Sequence, residues 1–220
     1  MKKQATADGS DTLISDLFGE SYHSKHGAIT ESNHVFIQAG LLPFLEKNTK
    51  IKILEIGFGT GLNALLTILA TEGANSGVHY VAYEYYPITA KEASLLNYPT
   101  HLQYPQSAAF LSSIHESEWS VPINITPNFV LEKRQETFED LSDVESYDLI
   151  YMDAFAPTAQ PSYWEVPFVT QLAISLKPGG VLVTYCAKGS FKRALKEAGF
   201  DVEGLPGPPG KREMTRAQKR

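Results

Sequence analysis

The sequence predicts an α/β fold: an open, mostly parallel sheet with helices on both faces. Three observations carry that expectation. Short runs rich in β-branched and aromatic residues alternate with helical stretches along the chain. The first strong run, Ile51-Lys52-Ile53-Leu54-Glu55-Ile56, stops abruptly at Gly57, the first of three alternating glycines. Acidic residues, Glu84 and Asp153, stand directly after two later runs, where parallel strands present their carboxyl ends.

Taken in order, the polar, glycine-broken residues 1–20 read as a loose N-terminal arm or short helix ahead of one domain over 21–220. Residues 51–56 are the first strand. Residues 62–71 are apolar on every side and read as a buried helix. Residues 78–83 form the second strand, and Pro87 opens a helix running to about Leu96, since proline suits a first turn. Residues 98–127 are mainly loop, with a helix near 108–116. Residues 128–132 and 147–152 are the third and fourth strands, the latter ending at Asp153. A helix follows over about 163–176, and Lys177-Pro178-Gly179-Gly180 is a tight turn into a strand at 181–185. Residues 189–198 make an amphipathic helix closed by Gly199. Two last strands, 200–203 and 213–216, are joined by the Pro206–Gly210 loop as an antiparallel hairpin.

A length of 220 residues bounds the chain to one domain, or one with a small appendage. No apolar run approaches the roughly 20 residues that span a bilayer, so no membrane association is expected. Two lysines near the N-terminus precede no apolar stretch, which argues against a secretory leader and for the cytoplasm. The single cysteine, Cys186, excludes an internal disulfide framework and a cysteine-rich zinc site. His23 and His26 lack an acid or cysteine partner at ligand spacing, so no metal is expected. The net charge of −6 argues against nonspecific polyanion binding over the whole surface, but it hides an asymmetry. From Cys186 onward there are nine Lys or Arg against four Asp or Glu; the preceding part holds ten against twenty-one. The basic stretch is either a phosphate-contacting face or a solvated tail frayed over 216–220.

The segment Glu55-Ile56-Gly57-Phe58-Gly59-Thr60-Gly61-Leu62-Asn63 carries the strongest chemical signal. Glycines there let the backbone turn sharply and let a ligand lie against the main chain. The spacing G-x-G-x-G is shorter than the dinucleotide fingerprint, and it suits adenosine ligands without a pyrophosphate, notably S-adenosylmethionine. Without a ligand it would be a bare strand-to-helix turn. Glu84, at the tip of the second strand, can accept hydrogen bonds from both hydroxyls of a ribose. In Tyr151-Met152-Asp153-Ala154-Phe155-Ala156-Pro157, Asp153 can hydrogen-bond an incoming amine or take its proton, and Phe155 can stack on a base. The structural alternative makes Asp153 a helix cap and Phe155 core.

These segments, together with Tyr83-Glu84-Tyr85-Tyr86-Pro87, Lys177-Pro178-Gly179-Gly180 and Gly210-Lys211-Arg212-Glu213-Met214, occur in one order. Together they resemble the methyltransferase domain of the bifunctional tRNA 5-methylaminomethyl-2-thiouridine biosynthesis protein, over about Ser21 to Met214. The resemblance implies a Rossmann-like class I methyltransferase with a C-terminal antiparallel hairpin. It further implies methyl transfer from S-adenosylmethionine to the exocyclic amine of 5-aminomethyl-2-thiouridine at the tRNA wobble position. Glu55, Gly57, Phe58, Gly59, Gly61, Asn63 and Glu84 would then bind the cofactor, with Asp153 and Phe155 at the reacting amine and uridine. Lys188, Lys192, Arg193, Lys211 and Arg212 would meet tRNA phosphates. Bifunctional members continue into a flavin-dependent oxidase. This sequence stops before one, so it resembles stand-alone methyltransferases, with no flavin expected and a separate oxidase as a conceivable partner. Family members often have Asp-Gly-Phe-Ala-Pro where Ala154 stands here. The acid expected beside the adenine is either Glu136 or replaced by Gln135. The run from Tyr22 to Ser32 resembles the family's pre-core segment and would fold over the pocket as a lid. A small-molecule N- or O-methyltransferase, a nicotinamide-binding oxidoreductase and a non-catalytic RNA-binding module are the competing expectations.

Overall fold

In the computed structural model, which describes residues 1–46, 50–74 and 76–220, the chain opens with a hairpin rather than a loose arm or short helix. β1 (Lys2–Ala5) pairs antiparallel with β2 (Asp11–Ile14). All four β1 side chains are exposed while Leu13 of β2 is fully buried. Four-residue strands of such unequal burial leave no alternation to detect. Asp8 fastens the turn. Its carboxylate accepts hydrogen bonds from the Ser10 amide and hydroxyl and the Thr6 hydroxyl, and from the amide and hydroxyl of Thr30 in α1 (Ala28–Ser32). α1 continues through a π-helical segment (Asn33–Leu41) into α2 (Leu42–Leu45), burying Val35, Phe36 and Leu41.

The remaining strands are β3 (Ile51–Ile56), β4 (Val78–Tyr83), β5 (Ile123–Thr126), β6 (Phe129–Arg134), β7 (Tyr147–Met152), β8 (Leu176–Thr184), β9 (Phe200–Pro206) and β10 (Glu213–Lys219). They form one sheet in the order β5-β6-β4-β3-β7-β8-β10-β9. β6, β4, β3, β7 and β8 run parallel; β5 is antiparallel to β6, and β10 runs against both β8 and β9. This is the expected mostly parallel sheet with its antiparallel C-terminal pair. Side chains alternate across the strands, so each strand feeds two cores. Ile53, Tyr80, Leu131, Leu149 and Val183 meet the π-helical segment, α3 (Leu62–Thr71), α5 (Tyr98–Leu102) and α6 (Ser107–Glu116). Leu54, Val81, Ile150 and Leu182 meet α7 (Val166–Ser175) and α8 (Gly189–Glu197) on the other face.

Four local expectations are corrected. The helix expected to open at Pro87 is the short α4 (Ala90–Ala93), capped by Thr89. The Thr89 hydroxyl accepts from the Glu92 amide while the Glu92 carboxylate accepts from the Thr89 amide, so this reciprocal box sets the start. Residues expected to be loop include α5 and the short edge strand β5. Lys177–Gly180 is a bulge within β8 and not a separate turn: Tyr147 pairs with Leu176 but Leu149 with Val181, so two residues of β7 answer five of β8. Residues 216–219 are not frayed. They lie in β10 with Ala217 buried between β8 and β9.

Candidate active site

β3 pairs with β4 on one side and β7 on the other, so the chain builds outward from β3 through β4 and β6 and then crosses back to β7, reversing direction beside β3. A crevice opens at the carboxyl ends of the strands where that reversal occurs. Here it is a cleft of about 1070 Å³ including its open mouth, lined by Gly57 and Gly59, by Glu84 to Tyr86, and by Asp153 to Ala156. The far wall comes from Phe18 and Glu20 to Ser24, from Glu31, and from Tyr163, Tyr185 and Lys211. Among the described residues its charged lining is five carboxyl groups (Glu20, Glu31, Glu84, Glu136, Asp153) and one lysine. Such a wall favours cationic ligand groups over phosphate.

Two glycines shape the floor. Gly57 has φ +89°, and a Cβ there would lie 2.7 Å from the carbonyl oxygen of Asp153, so the tips of β3 and β7 touch. Gly59 has φ +52°, and the ring of Tyr22 stands where its Cβ would point. The Gly59 amide donates to Glu84 Oε2 at 3.0 Å and the Tyr86 amide to Oε1 at 2.9 Å. Burial raises the Glu84 carboxyl above the ordinary range, against the pull of the amides of Tyr86, Gly59 and Tyr85. Each carboxylate oxygen keeps a lone pair for a further donor.

Asp153 follows β7, and the Asn63 side-chain amide donates to its Oδ2 at 2.8 Å and to Glu55 Oε1 at 2.9 Å. One amide nitrogen thus holds two carboxyl groups together. Burial pushes Asp153 well above the usual carboxylate range and Glu31 adds to this, while Asn63 and Lys211 pull it back. Burial likewise raises the fully enclosed Glu55, with Asp153 reinforcing the effect. Phe155 is fixed by its amide, which donates to Gln160 Oε1, and by its carbonyl, which accepts from Trp164 Nε1. Its ring packs on Phe18 at 4.9 Å and Tyr22 at 5.0 Å, forming an aromatic wall beside Asp153.

The fold brings Gly57, Gly59, Glu84, Asp153 and Phe155 onto this one cleft. It leaves Glu55, Phe58, Gly61 and Asn63 behind it. Phe58 turns its ring away to pack on His115 and Trp119, and a Cβ on Gly61 would meet His115 and Ile114. Glu136 lines the main cleft, whereas Gln135 faces a shallower depression beside Tyr85 and Tyr86. Of the five basic residues, Lys192 is paired with Glu213. Lys211 lies inside the cleft, paired with Glu31 and 4.0 Å above the Tyr185 ring, and is no surface phosphate contact. Lys188, Arg193 and Arg212 are exposed. Tyr185, Tyr163 and Gln160 line the cleft without having been singled out. Tyr185 stands just past β8, the same strand-end position that marks Glu84 and Asp153, but the strand expected over 181–185 hid it by running one residue too far.

Behind the glycine turn, Lys133 is buried with its ammonium 4.8 Å from the Trp119 ring and donating to the His115 carbonyl at 3.1 Å. Burial lowers it to about 8. His115 Nε2 in turn donates to the Thr60 carbonyl, tying β6 to the glycine turn.

A family model described as S-adenosyl-L-methionine-dependent methyltransferase matches residues 93–220. The tRNA 5-methylaminomethyl-2-thiouridine biosynthesis bifunctional protein MnmC of Ralstonia nicotianae is 31% identical over 96% of this chain and 33% of its own length. The protein of the same name from Aromatoleum aromaticum is 30% identical, over 98% of this chain and 35% of its own length. The chain therefore spans about a third of the length of these curated relatives. The crystal structure of MNMC2 from Aquifex aeolicus superposes with a TM-score of 0.81 at 26% identity, covering all of this chain and 70% of that one.

Proposed function

The chain belongs to the S-adenosyl-L-methionine-dependent methyltransferase family, and from that premise we propose that it methylates the aminomethyl nitrogen of 5-aminomethyl-2-thiouridine at the wobble position of tRNA. The nicotinamide expectation falls with the family. The observation that carries the proposal is a single cleft in which a glycine floor and Glu84 face an aromatic-walled carboxyl group, Asp153. The names of the two curated relatives supply the substrate class.

The residues fit the cofactor on this chain's own geometry: the bare main chain of Gly57 and Gly59 lines the cleft with no room for a Cβ, and Glu84 retains acceptor capacity for ribose hydroxyls. When bound, S-adenosylmethionine supplies a methyl group made electrophilic by its sulfonium. Glu84 and the main chain of residues 57–59 would hold the ribose and amino-acid portions, with Glu136 on the adenine side. Asp153, raised by burial, is matched to accept a proton from an alkylammonium and so leave a free lone pair on nitrogen. Phe18, Tyr22 and Phe155 keep water away and orient the ring that carries the amine. The exposed Lys188, Arg193 and Arg212 are the candidate phosphate contacts, with Lys192 engaged by Glu213.

The test is incubation with methyl-labelled S-adenosylmethionine and tRNA bearing 5-aminomethyl-2-thiouridine, followed by mass analysis of the nucleosides. Label in the wobble nucleoside is expected. Efficient turnover of small amines or hydroxyl compounds, with none on tRNA, would favour the small-molecule alternative.

A further inference from the structure

β10 begins beside the tip of β8, with Thr215 opposite Thr184, and this register delivers the preceding loop to the cleft. Lys211 enters there as the single cation among the described residues that line it. Its ammonium is held from two sides, by Glu31 and by the ring face of Tyr185. Glu31 also accepts from the Ser24 amide at 3.3 Å, so it is fixed by the segment that covers the cleft. Tyr185 is fixed too, donating from its hydroxyl to the Ala154 carbonyl next to Asp153. Every partner of Lys211 is thus anchored beside Asp153.

We propose that Lys211, seated by Glu31 on the face of Tyr185, is a positioning residue that supplies the positive charge holding Asp153 in its anionic, proton-accepting form. The inference rests on the amine-handling role given to Asp153 above. The groups facing Asp153 are Glu55 from β3, Glu31 from α1, Tyr80 from β4, Tyr98 from α5, Tyr185 after β8 and Lys211 after β9. Glu55 and Glu31 are acids and the tyrosines stay neutral, their ionisation pushed up by burial, so beside the neutral Asn63 amide, which donates to Asp153, Lys211 is the positive charge that offsets the crowding of carboxyl groups. Its three N–H donors serve Glu31 and leave capacity toward the cleft.

An electrostatic role and a purely structural clasp predict different signs. Loss of Lys211 removes the compensating charge, so Asp153 should titrate higher. Loss of Glu31 removes a repelling charge, so Asp153 should titrate lower even though the clasp is broken. A clasp that acts only by holding the cleft closed makes both changes alike.

The experiment is ¹³C NMR titration of the Asp153 carboxyl in the ligand-free 220-residue chain, assigned by its absence in Asp153→Asn. Lys211→Met should move the midpoint up by about half to one pH unit. Glu31→Gln should move it down, and Lys211→Arg should stay near wild type. Lys211→Gln repeats the test should the methionine variant fail to fold. In single-turnover methylation, the acidic limb of the pH profile should move in the same directions. Shifts of the same sign in the two variants, or none on losing Lys211, would overturn the proposal. Opposite shifts without any methylation of tRNA would leave it standing and sink the substrate assignment instead.

Discussion

Alanine at Gly57 and alanine at Gly59 are the same chemical change with different consequences. At Gly57 the new methyl would lie 2.7 Å from the Asp153 carbonyl oxygen, 3.0 Å from its carbon and 3.2 Å from the Ala154 nitrogen. All three are main-chain atoms at the tip of β7, where the Asp153 amide donates to the Ile56 carbonyl, and none can rotate aside. At Gly59 the methyl would meet Tyr22 Cδ1 at 2.9 Å, on a side chain that can swing toward the cleft mouth. Both positions have positive φ, which costs an L-residue about 1–2 kcal/mol. Overpacking against fixed main chain adds about 1–3 kcal/mol at Gly57 alone. Gly57→Ala should therefore lose about 2–5 kcal/mol and Gly59→Ala about 1–2 kcal/mol, read as urea midpoints at unchanged slope. Titration calorimetry with S-adenosylmethionine should then show weakened binding in both, since one methyl pushes the Asp153 tip and the other pushes Tyr22, and both line the cleft. If Gly57→Ala proves as stable as Gly59→Ala, the contact between the β3 and β7 tips does not constrain the site as argued.

Asp153→Asn should bind cofactor nearly normally but methylate about a hundredfold or more slowly, measured by single turnover, because the amide cannot take a proton. Asp8 should couple stability to pH. Burial would raise its carboxyl, but hydrogen bonds from Ser10, Thr30 and Thr6 outweigh that and hold it below the ordinary range. Its contribution is therefore present above about pH 4 and lost as pH falls toward the folded value. Asp8→Asn should be less stable than wild type by about 1–3 kcal/mol at neutral pH, with the gap closing in acid melts. Changing Lys188, Arg193 and Arg212 together to alanine should flatten the salt dependence of tRNA binding by about two to three in slope. Cofactor affinity should remain intact, and an unchanged slope in filter binding would remove these residues from the RNA face.

The parts of the site that follow directly from strand ends were legible in the sequence. Gly57, Glu84 and Asp153 each sit one residue past a run whose composition marks it as a buried parallel strand, and the fold brings such tips together. Lys211 was not legible in the same way. Its place depends on β10 turning back between β8 and β9, and local composition offers only a lysine in a proline-rich loop. Phe58 and Gly61 show the opposite limit, since neither lines the cleft. They share the glycine motif, but packing under His115 and Trp119 governs which way they face. The buried ammonium of Lys133 is likewise invisible locally, since an alternating strand predicts a solvent-facing lysine as readily as one roofed by Trp119.

Among the described residues β10 leaves the ribosome after the other strands of the sheet, yet β9 pairs with β10 alone. Until residues 213–219 emerge, the nascent chain holds a finished glycine floor beside an unpaired β8 edge and an orphaned β9. That edge carries the apolar run Val181, Leu182, Val183, a surface on which another nascent chain can add a strand. A product stopped just short of β10 is therefore an aggregation hazard and not merely an inactive enzyme.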